Sequence, residues 1–256
     1  MDFWKCLLET SIYLDETDKA LEIDRSQVET FYLPLAKWLI NQAGRPSRLL
    51  VGAAGPPGSG KTAFATLLVA VINAHAAQEI ARAVGMDGWH FSNAYLDSHS
   101  IERTGERVSM RTIKGSPETF DVSALSAFLR YIREGGECNY PIYSRKLNDP
   151  VPEAGTIREE NRIVILEGNY LFLQEPPWNQ FSSLFDIRIF INTSWNVTRA
   201  SLEKRHLRGG KTPEFINQHM QNVDLVNTQR VLSTLPAVQV MVFKSDEKNI
   251  ERINFD

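Results

Sequence analysis

Residues 55–62 read Gly-Pro-Pro-Gly-Ser-Gly-Lys-Thr, and they come shortly after the apolar run Leu49-Leu50-Val51. The glycines allow backbone N–H groups to turn inward around phosphate oxygens, and a helix that starts behind them adds the positive end of its dipole. Lys61 is expected to reach the β and γ phosphates of a nucleotide, and the hydroxyl of Thr62 to hold Mg²⁺. The stretch therefore predicts a strand, a phosphate-binding loop and a helix over about residues 62–77. The predicted ATP contacts of this loop are Gly55, Pro57, Gly58, Ser59, Gly60, Lys61 and Thr62.

The composition limits the classes of protein to which the chain can belong. It has 256 residues, of which 43% are hydrophobic, a net charge of −3 and a pI near 6.0. This length suits one large α/β core, and the acidic balance argues against a nucleic-acid partner because phosphate backbones select basic faces. Two cysteines are too few for a disulfide framework, the first residues are acidic, and no apolar run has the length of a membrane span. These features predict a cytoplasmic protein without a membrane partner.

The chain divides by pattern into an extension, residues 1–46, and a nucleotide-binding domain, residues 47–256. Weak alternation of apolar residues over 12–23 predicts a hairpin in the extension. Apolar residues at three- and four-residue steps over 28–39 predict a helix that stops near Gly44. Two roles stay open for the extension: a contact in a homodimer, or a brace for the first strand.

Short runs rich in Val, Ile and Phe predict further strands, and helical patterns separate several of them. The clearest helix covers residues 121–133, where one apolar stripe ends at Gly135 and Gly136. This alternation predicts a three-layer α/β/α fold with a doubly wound, mainly parallel sheet, whose ligands lie at the carboxyl ends of the strands. The predicted strands after the first are residues 80–86, 139–143, 162–166, 185–191 and 238–243.

Two carboxylates follow predicted strands and are candidates for chemistry at that edge of the sheet. Asp87 precedes Gly88 after the strand at 80–86, so it can accept the proton of an attacking hydroxyl or bind Mg²⁺ through water. A turn-capping aspartate is the alternative. Glu167 ends the apolar run at 163–166, a position that suits a Walker B carboxylate near the metal. A glutamate paired with a nearby arginine would show the same pattern.

A basic stretch predicts a helical lid over about residues 194–212. Its cations run against the acidic balance of the chain, and helical spacing places Arg205 beside Arg208, so guanidinium groups are expected to close over a transferring phosphate. Arg199 and Arg205 are the predicted catalytic cations of the lid, and Arg208 is a predicted ATP contact. Cations in the last turn before Gly209 also complement the helix dipole, and this second explanation stays open.

Polar residues near the other strand ends are candidates for binding a phosphate acceptor. For His90, a structural or substrate-positioning role is favoured over acid–base chemistry. Lys114, with Arg111, suits an anionic acceptor, although a solvated loop explains these charges equally well. Tyr143 ends a predicted strand and has core packing as its alternative. The predicted acceptor-binding residues are His90, Lys114, Tyr143, Arg145 and Asn169.

Several of these stretches together resemble one family. They are MDGWH at 86–90, KGSPETFD at 114–121, YPIYSRKLNDP at 140–150 and VILEGNYLFL at 164–173, followed by the basic lid. The set resembles the P-loop kinases that include pantothenate kinase, uridine kinase and phosphoribulokinase, and especially bacterial members labelled nucleoside/nucleotide kinase or fructose-transport kinase. The resemblance covers about residues 25–245. It implies transfer of the γ-phosphate of ATP, with Mg²⁺, to a hydroxyl of a small molecule such as a nucleoside, a sugar or a pantothenate-like acceptor.

The resemblance also implies roles for particular residues. Asp87 matches the base, Glu167 matches the acid near Mg²⁺, and Arg199 and Arg205 match lid arginines that hold phosphates. With Lys61, these residues form the predicted catalytic and metal-binding set. The acceptor segments do not match one substrate of the family, so the acceptor stays unnamed.

Two other functions stay open from the residues alone. One is a nucleotide-dependent switch NTPase, although the chain lacks an Asn-Lys-x-Asp motif and an aspartate–glutamate pair that closes an apolar strand. The other is a nucleotide-binding sensor without an acceptor, against which Asp87 argues because it supplies a base.

Overall fold

A computed structural model describes residues 2–10, 12, 20–44, 47–103, 105–233, 237–246 and 248–255 of the chain. Within these residues the strands are β1 (Leu49–Ala54), β2 (Ala81–Gly85), β3 (Ser100–Arg103), β4 (Glu106–Ser109), β5 (Cys138–Ser144), β6 (Asp149–Ile157), β7 (Ile163–Gly168), β8 (Ile187–Thr193), β9 (Val240–Lys244) and β10 (Ile250–Phe255). The helices are α1 (Phe3–Glu9), α2 (Arg25–Gln27), α3 (Leu33–Gln42), α4 (Lys61–Ala76), α5 (Asn93–Ser98), α6 (Val122–Arg133), α7 (Trp195–Arg208), α8 (Pro213–His219) and α9 (Leu225–Ser233). Short 3₁₀ turns cover Met86–Trp89, Pro117–Thr119 and Trp178–Leu184, and π-helical segments cover Val28–Tyr32 and Met220–Asp224.

In the described part of the chain, six strands form the central sheet, in the order β10-β9-β8-β1-β7-β2. All neighbouring pairs are parallel except β9 with β10. Both β1 and β7 are buried at every position, as expected for strands covered on both faces. The strands β2 and β7 lie on one side of β1 in the sheet, whereas β8 and β9 lie on the other side. The chain therefore crosses from one side of β1 to the other, which makes the carboxyl end of β1 the switch point at which such sheets bind ligands.

The side chains of β1 alternate between two hydrophobic clusters, one on each face of the sheet. Leu49 and Val51 join a cluster with α1, α3 and α4. Leu50 joins a second cluster with α6 and the 3₁₀ turn at Trp178–Leu184. The predicted three-layer α/β/α fold is thereby confirmed, and the helix predicted at 121–133 is α6, which the side chain of Asp121 caps.

The N-terminal residues pack on the same core as the first strand. The turn of the predicted hairpin falls on residues 13–19, outside the described residues, while Leu21 N donates a 2.6 Å hydrogen bond to Ile12 O. The helix predicted over 28–39 is present as the π-helical segment and α3. Because Leu7 and Leu35 are fully buried in the cluster that contains Val51, this segment covers one face of β1.

One predicted strand lies outside the central sheet. Residues 139–143 form part of β5, which pairs antiparallel with β6 in a separate two-stranded sheet. Pro141 has no N–H to donate to a ladder, and the register shifts between Tyr140 and Ile142. Only Tyr140 and Ser144 of β5 are buried, so the strand lacks the two covered faces of a central parallel strand. The other four predicted strands correspond to β2, β7, β8 and β9.

No helix in the described ranges combines the length and the apolar composition needed to cross a membrane.

Candidate active site

The predicted phosphate-binding loop connects β1 to α4 at the switch point of the sheet. Gly60 has a φ of 78° and immediately precedes α4, so the helix starts behind the loop with its N-terminus facing the loop. Gly58 also has a φ of 78°, and a Cβ there would lie 2.7 Å from Thr198 O and 2.8 Å from Leu202 Cγ. The loop therefore packs directly against α7, which leaves no room for a side chain at Gly58.

Lys61 is folded over the loop that it follows. Its Nζ donates to Pro56 O at 2.8 Å and to Ser59 Oγ at 3.4 Å, and the residue is only 6% exposed. Burial lowers the pKa of Lys61 to about 8, and the negative charge of Glu167 opposes that shift. The ammonium group thus stands in the loop itself, where a nucleotide phosphate would be expected.

A second buried lysine reaches the loop from β9, two strands away from β1. Lys244 ends β9, and its Nζ lies 3.3 Å from Ser59 O, to which it donates a hydrogen bond. The positive charge of Lys244 lowers the pKa of Lys61 further, after the larger effect of burial. Two lysines held together at the same loop create a positive site for an anion.

Glu167 lies beside the first turn of α4. It belongs to β7, which pairs with both β1 and β2, and its Oε1 accepts a 2.8 Å hydrogen bond from Thr62 Oγ1. Only 9% of Glu167 is exposed. A hydroxyl and a carboxylate side by side are hard oxygen ligands, which are the ones that Mg²⁺ prefers. The pair therefore fits a magnesium site next to the loop.

Asp87 stands at the carboxyl end of the neighbouring strand β2, in the 3₁₀ turn Met86–Trp89. The turn packs closely on β5, because a Cβ at Gly88 would overlap Pro141 O. The carboxylate of Asp87 is exposed. Its charge raises the pKa of both Lys61 and Lys114, against the larger lowering effect of burial. Asp87 thus lies close enough to the phosphate loop and to Lys114 for its charge to act on both.

His90 forms one wall beside Asp87. Its ring stacks on Phe120 with the centroids 3.8 Å apart, and its Nδ1 lies 3.3 Å from Thr119 O. Tyr143 is the next ring, at 5.4 Å. Burial lowers the pKa of His90 to about 4, so the imidazole is neutral at pH 7.

Lys114 connects two loops beside Tyr143. Its Nζ donates to Asn93 Oδ1 at 2.7 Å and to Asn148 O at 2.6 Å, and it lies 5.1 Å from the centroid of the Tyr143 ring. Tyr143 Oη donates to Asn148 Oδ1 at 3.0 Å. Arg111 also donates to Asn93 Oδ1. Burial lowers the pKa of Lys114 to about 8.

The other two predicted acceptor residues, Arg145 and Asn169, directly follow the ends of β5 and β7. Arg145 is exposed beyond β5, and its positive charge lowers the pKa of Tyr143, against the larger raising effect of burial. Asn169 is half-buried and directly follows β7, two residues after Glu167. Both therefore lie at the same edge of the fold as Asp87.

The arginines of the predicted lid lie on α7 and point in different directions. Thr198 and Leu202 are buried, and the helical repeat places Arg205 on the same face, towards Gly58. Arg205 is half-buried, and its charge lowers the pKa of Lys61, again after the larger effect of burial. Arg199 and Arg208 are exposed on the flanks, and Arg208 Nε donates to Lys204 O at 3.3 Å. Of the three predicted arginines, Arg205 is the one that the structure turns towards the loop.

The sequence matches the model of the "Phosphoribulokinase / Uridine kinase family" over residues 50–229. The chain belongs to this family. It is 30% identical over 228 residues to "Uncharacterized protein YggC" of Escherichia coli K12, covering 88% of this chain and 91% of that protein. It is 31% identical over 212 residues to "Putative uridine kinase C227.14" of Schizosaccharomyces pombe, covering 81% of this chain and 88% of that protein.

Solved structures agree with this family. The crystal structure titled "putative fructose transport system kinase" from Silicibacter sp. TM1040 superposes with a TM-score of 0.73 at 26% identity, covering 84% of this chain and 99% of that one. The resemblance to pantothenate kinase, uridine kinase and phosphoribulokinase is therefore confirmed. This member of the phosphoribulokinase/uridine kinase family is an ATP-dependent kinase of small molecules.

The site of this family member also contains residues that the sequence patterns did not single out. Lys244 lies 185 residues after Ser59, and the signal that could have found it is a lysine at the end of a predicted parallel strand. Asn93 and Asn148 connect the loops that carry Arg111, Lys114 and Tyr143, but they show no spacing by which sequence alone would reveal them.

Proposed function

We propose that this kinase transfers the γ-phosphate of ATP, with Mg²⁺, to a hydroxyl group of a small metabolite that carries an anionic group. The observation that supports this most is the position of Asp87, an exposed carboxylate whose charge acts on the pKa of both Lys61 and Lys114, after the larger effect of burial. A base between a phosphate-binding loop and a group of polar side chains is what hydroxyl phosphorylation needs.

In this proposal Asp87 takes the proton of the acceptor hydroxyl as its oxygen bonds to the γ-phosphorus. The bond from that phosphorus to the β-phosphate oxygen breaks, and ADP leaves. Lys61 and Arg205 face the transferring group and stabilise its charge, while Arg199 and Arg208 hold nucleotide phosphates from the flanks of α7. Catalysis rests on positioning and charge neutralisation, since no covalent intermediate with the protein is required.

Thr62 and Glu167 would hold the magnesium ion, because their oxygens lie side by side at the start of α4. An ion held there would supply positive charge to the transferring phosphate. The chain's own contribution is to fix the two oxygen ligands by burial of Glu167 between β1 and β2.

The acceptor is expected to carry a carboxylate or a phosphate because Lys114 and Arg111 both point at Asn93, beside Tyr143. A neutral His90 and the amide of Asn169 can position the acceptor by hydrogen bonds, and Arg145 adds a further cation. Sugar phosphates, hydroxy acids and pantothenate-like compounds combine a hydroxyl with such an anion. A cytoplasmic location and a homodimer remain predictions from the sequence.

The test is transfer of labelled phosphate from ATP and Mg²⁺ to a panel of nucleosides, sugars, sugar phosphates, glycerate and pantothenate. The wild type should phosphorylate an anionic acceptor, and Asp87→Asn should lower turnover by at least about 100-fold with little loss of ATP affinity. The matched control is Glu134→Gln. Glu134 lies two residues after Ile132, and the carbonyl of Ile132 accepts a hydrogen bond from Arg48 at the opposite edge of the sheet. Hydrolysis of ATP without a labelled product on any acceptor would favour a switch NTPase or a sensor instead.

A further inference from the structure

Three side chains of the types that can bind metal ions meet where α7 packs on the helices that follow it. They are His206 of α7, His219 at the end of α8 and Asp224 at the end of the second π-helical segment. One ligand atom of each lies within 4.8 Å of the other two. His206 Nε2 is 2.9 Å from Asp224 Oδ2, and the two side chains are only 13% and 7% exposed. The cluster is therefore formed by three successive helical segments, with two of its side chains largely buried and His219 half-buried.

The π-helical segment is what brings Asp224 to His219. These residues are five apart in sequence, and in a regular α-helix they would point about 140° away from each other. Leu225 N instead bonds to Met220 O, five residues earlier, so the helix widens at this turn. Such single π turns recur at functional sites because they realign side chains.

We propose that His206, His219 and Asp224 bind a divalent transition metal ion of the Zn²⁺ class. Two imidazoles and one carboxylate, with a fourth position open, match the ligand preferences of such ions, whereas Mg²⁺ prefers oxygen ligands alone. Bonds of about 2.0–2.2 Å would set the ligand atoms about 3.4 Å apart, so His206 Nε2 and Asp224 Oδ2 would separate by roughly 0.5 Å and a more distant atom would move inward. The rings of the two histidines meet edge to face, with their centroids 5.1 Å apart.

Neighbouring side chains hold the ligands of the cluster in place. The ring of His219 stacks on Phe215 with the centroids 5.4 Å apart, and the carboxylate of Asp224 is held by its 2.9 Å contact with His206 Nε2. These contacts orient the ligands before an ion arrives.

The position of the cluster links it to the predicted lid. His206 directly follows Arg205, the arginine that faces the loop, so an ion would tie α7 to α8 and α9 and restrict the movement of Arg205. This consequence rests on the proposed function, but metal binding itself does not.

The experiment uses the full chain without an affinity tag, treated with a chelator and then titrated with ZnCl₂ by calorimetry and with CoCl₂ by visible absorption. We expect one ion per chain and a Co²⁺ spectrum typical of low coordination number. His219→Gln and Asp224→Asn should each weaken binding by about 10- to 100-fold. Thr62→Ala and His99→Gln should bind like the wild type, because the first alters the proposed magnesium site and the second an exposed histidine elsewhere.

Circular dichroism of each variant shows whether it is folded, and the wild-type titration decides the proposal even where a variant is not. Absence of stoichiometric Zn²⁺ binding by the wild type would overturn the proposal, as would unchanged binding by folded His219→Gln. No ATP or acceptor is present in these titrations, so their failure is distinct from failure of the proposed kinase reaction.

Discussion

Thr62 Oγ1 donates a 2.8 Å hydrogen bond to Glu167 Oε1, a contact that joins residues 105 positions apart. The contact exists because β1 and β7 are neighbours in the sheet and Glu167 is level with Ala53, the last residue but one of β1. A buried carboxylate held against a hydroxyl at the start of a phosphate-binding helix is a ready pair of ligands for a hard cation.

Glu167→Gln should therefore weaken the use of Mg²⁺. Glutamine keeps an oxygen that can accept the hydrogen bond from Thr62, but it loses the negative charge that attracts the ion. We expect the Mg²⁺ concentration for half-maximal turnover to rise at least about tenfold and kcat to fall roughly 100-fold. Calorimetric titration of ATP at several Mg²⁺ concentrations measures the same effect without an acceptor. Glu160→Gln, at the opposite end of β7, is the control, and equal Mg²⁺ dependence in both variants would contradict the prediction.

Lys61→Met should separate stability from phosphate binding. A charged lysine at 6% exposure is costly when no anion is present, so the ligand-free variant should be more stable by on the order of 1 kcal/mol while its stabilisation by ATP is lost. The pKa of Lys61 also sets how stability depends on pH. The unfolded chain keeps the proton of Lys61 up to a pH of 10.5, whereas the folded chain loses it at a pH of about 8, so the free energy of unfolding rises across that interval. Thermal unfolding at pH 7 and pH 10, with and without ATP, tests both statements. The control is Lys37→Met, which changes an exposed lysine of α3 and should alter neither the ligand-free stability nor the stabilisation by ATP. A lower ligand-free stability of Lys61→Met would disprove this account.

His90 should make the protein sensitive to acid. Its pKa is about 4 in the folded state against 6.5 ordinarily, so between these values the unfolded chain binds a proton that the folded chain does not. Stability is thus lost as pH falls from 6.5 to 4, by on the order of 3 kcal/mol from this one residue. Urea unfolding at pH 4 to 7 measures this effect. The stability of His90→Gln should change less with pH than that of the wild type, whereas His99→Gln, which alters an exposed histidine, should follow the wild type. Parallel curves for wild type and His90→Gln would rule out a buried neutral imidazole.

The sequence predicted best those parts of the site that depend on neighbouring residues. Gly58, Gly60 and Lys61 are adjacent, and the backbone geometry that they impose is local, so the loop and the start of α4 follow from their order alone. Asp87 and Glu167 lie at the same edge of the sheet as the loop because parallel strands all end there, while their roles in the reaction stay predictions.

The remainder depends on how the elements bend and pack on one another, which no local pattern reveals. Lys244 reaches Ser59 only because β9 lies two strands from β1 in the folded sheet. The pairing of β5 with β6, and the π turn that moves Asp224 towards His219, depend on a proline and on one helical widening whose effects appear only in three dimensions. The directions of Arg199 and Arg208 likewise follow from which face of α7 packs on the loop.

Arg205 offers the sharpest choice between a catalytic role and helix capping. It faces the loop on the side of α7 that carries Leu202, but its carbonyl also accepts the N–H of Gly209 at the end of the helix, where any cation complements the dipole. If Arg205 stabilises the transferring phosphate, Arg205→Gln should lower kcat by about 100-fold or more with only a few-fold change in ATP affinity.

Arg205→Lys then distinguishes the two roles. Lysine keeps the charge at the end of the helix but loses the planar, bidentate donor, so kcat should remain low while the melting temperature stays at the wild-type value. Lys204→Gln removes a neighbouring cation from the exposed side of α7 and serves as the matched control for charge. A melting temperature that falls in Arg205→Gln and recovers in Arg205→Lys, with kcat unchanged throughout, would assign Arg205 to the helix and not to the reaction.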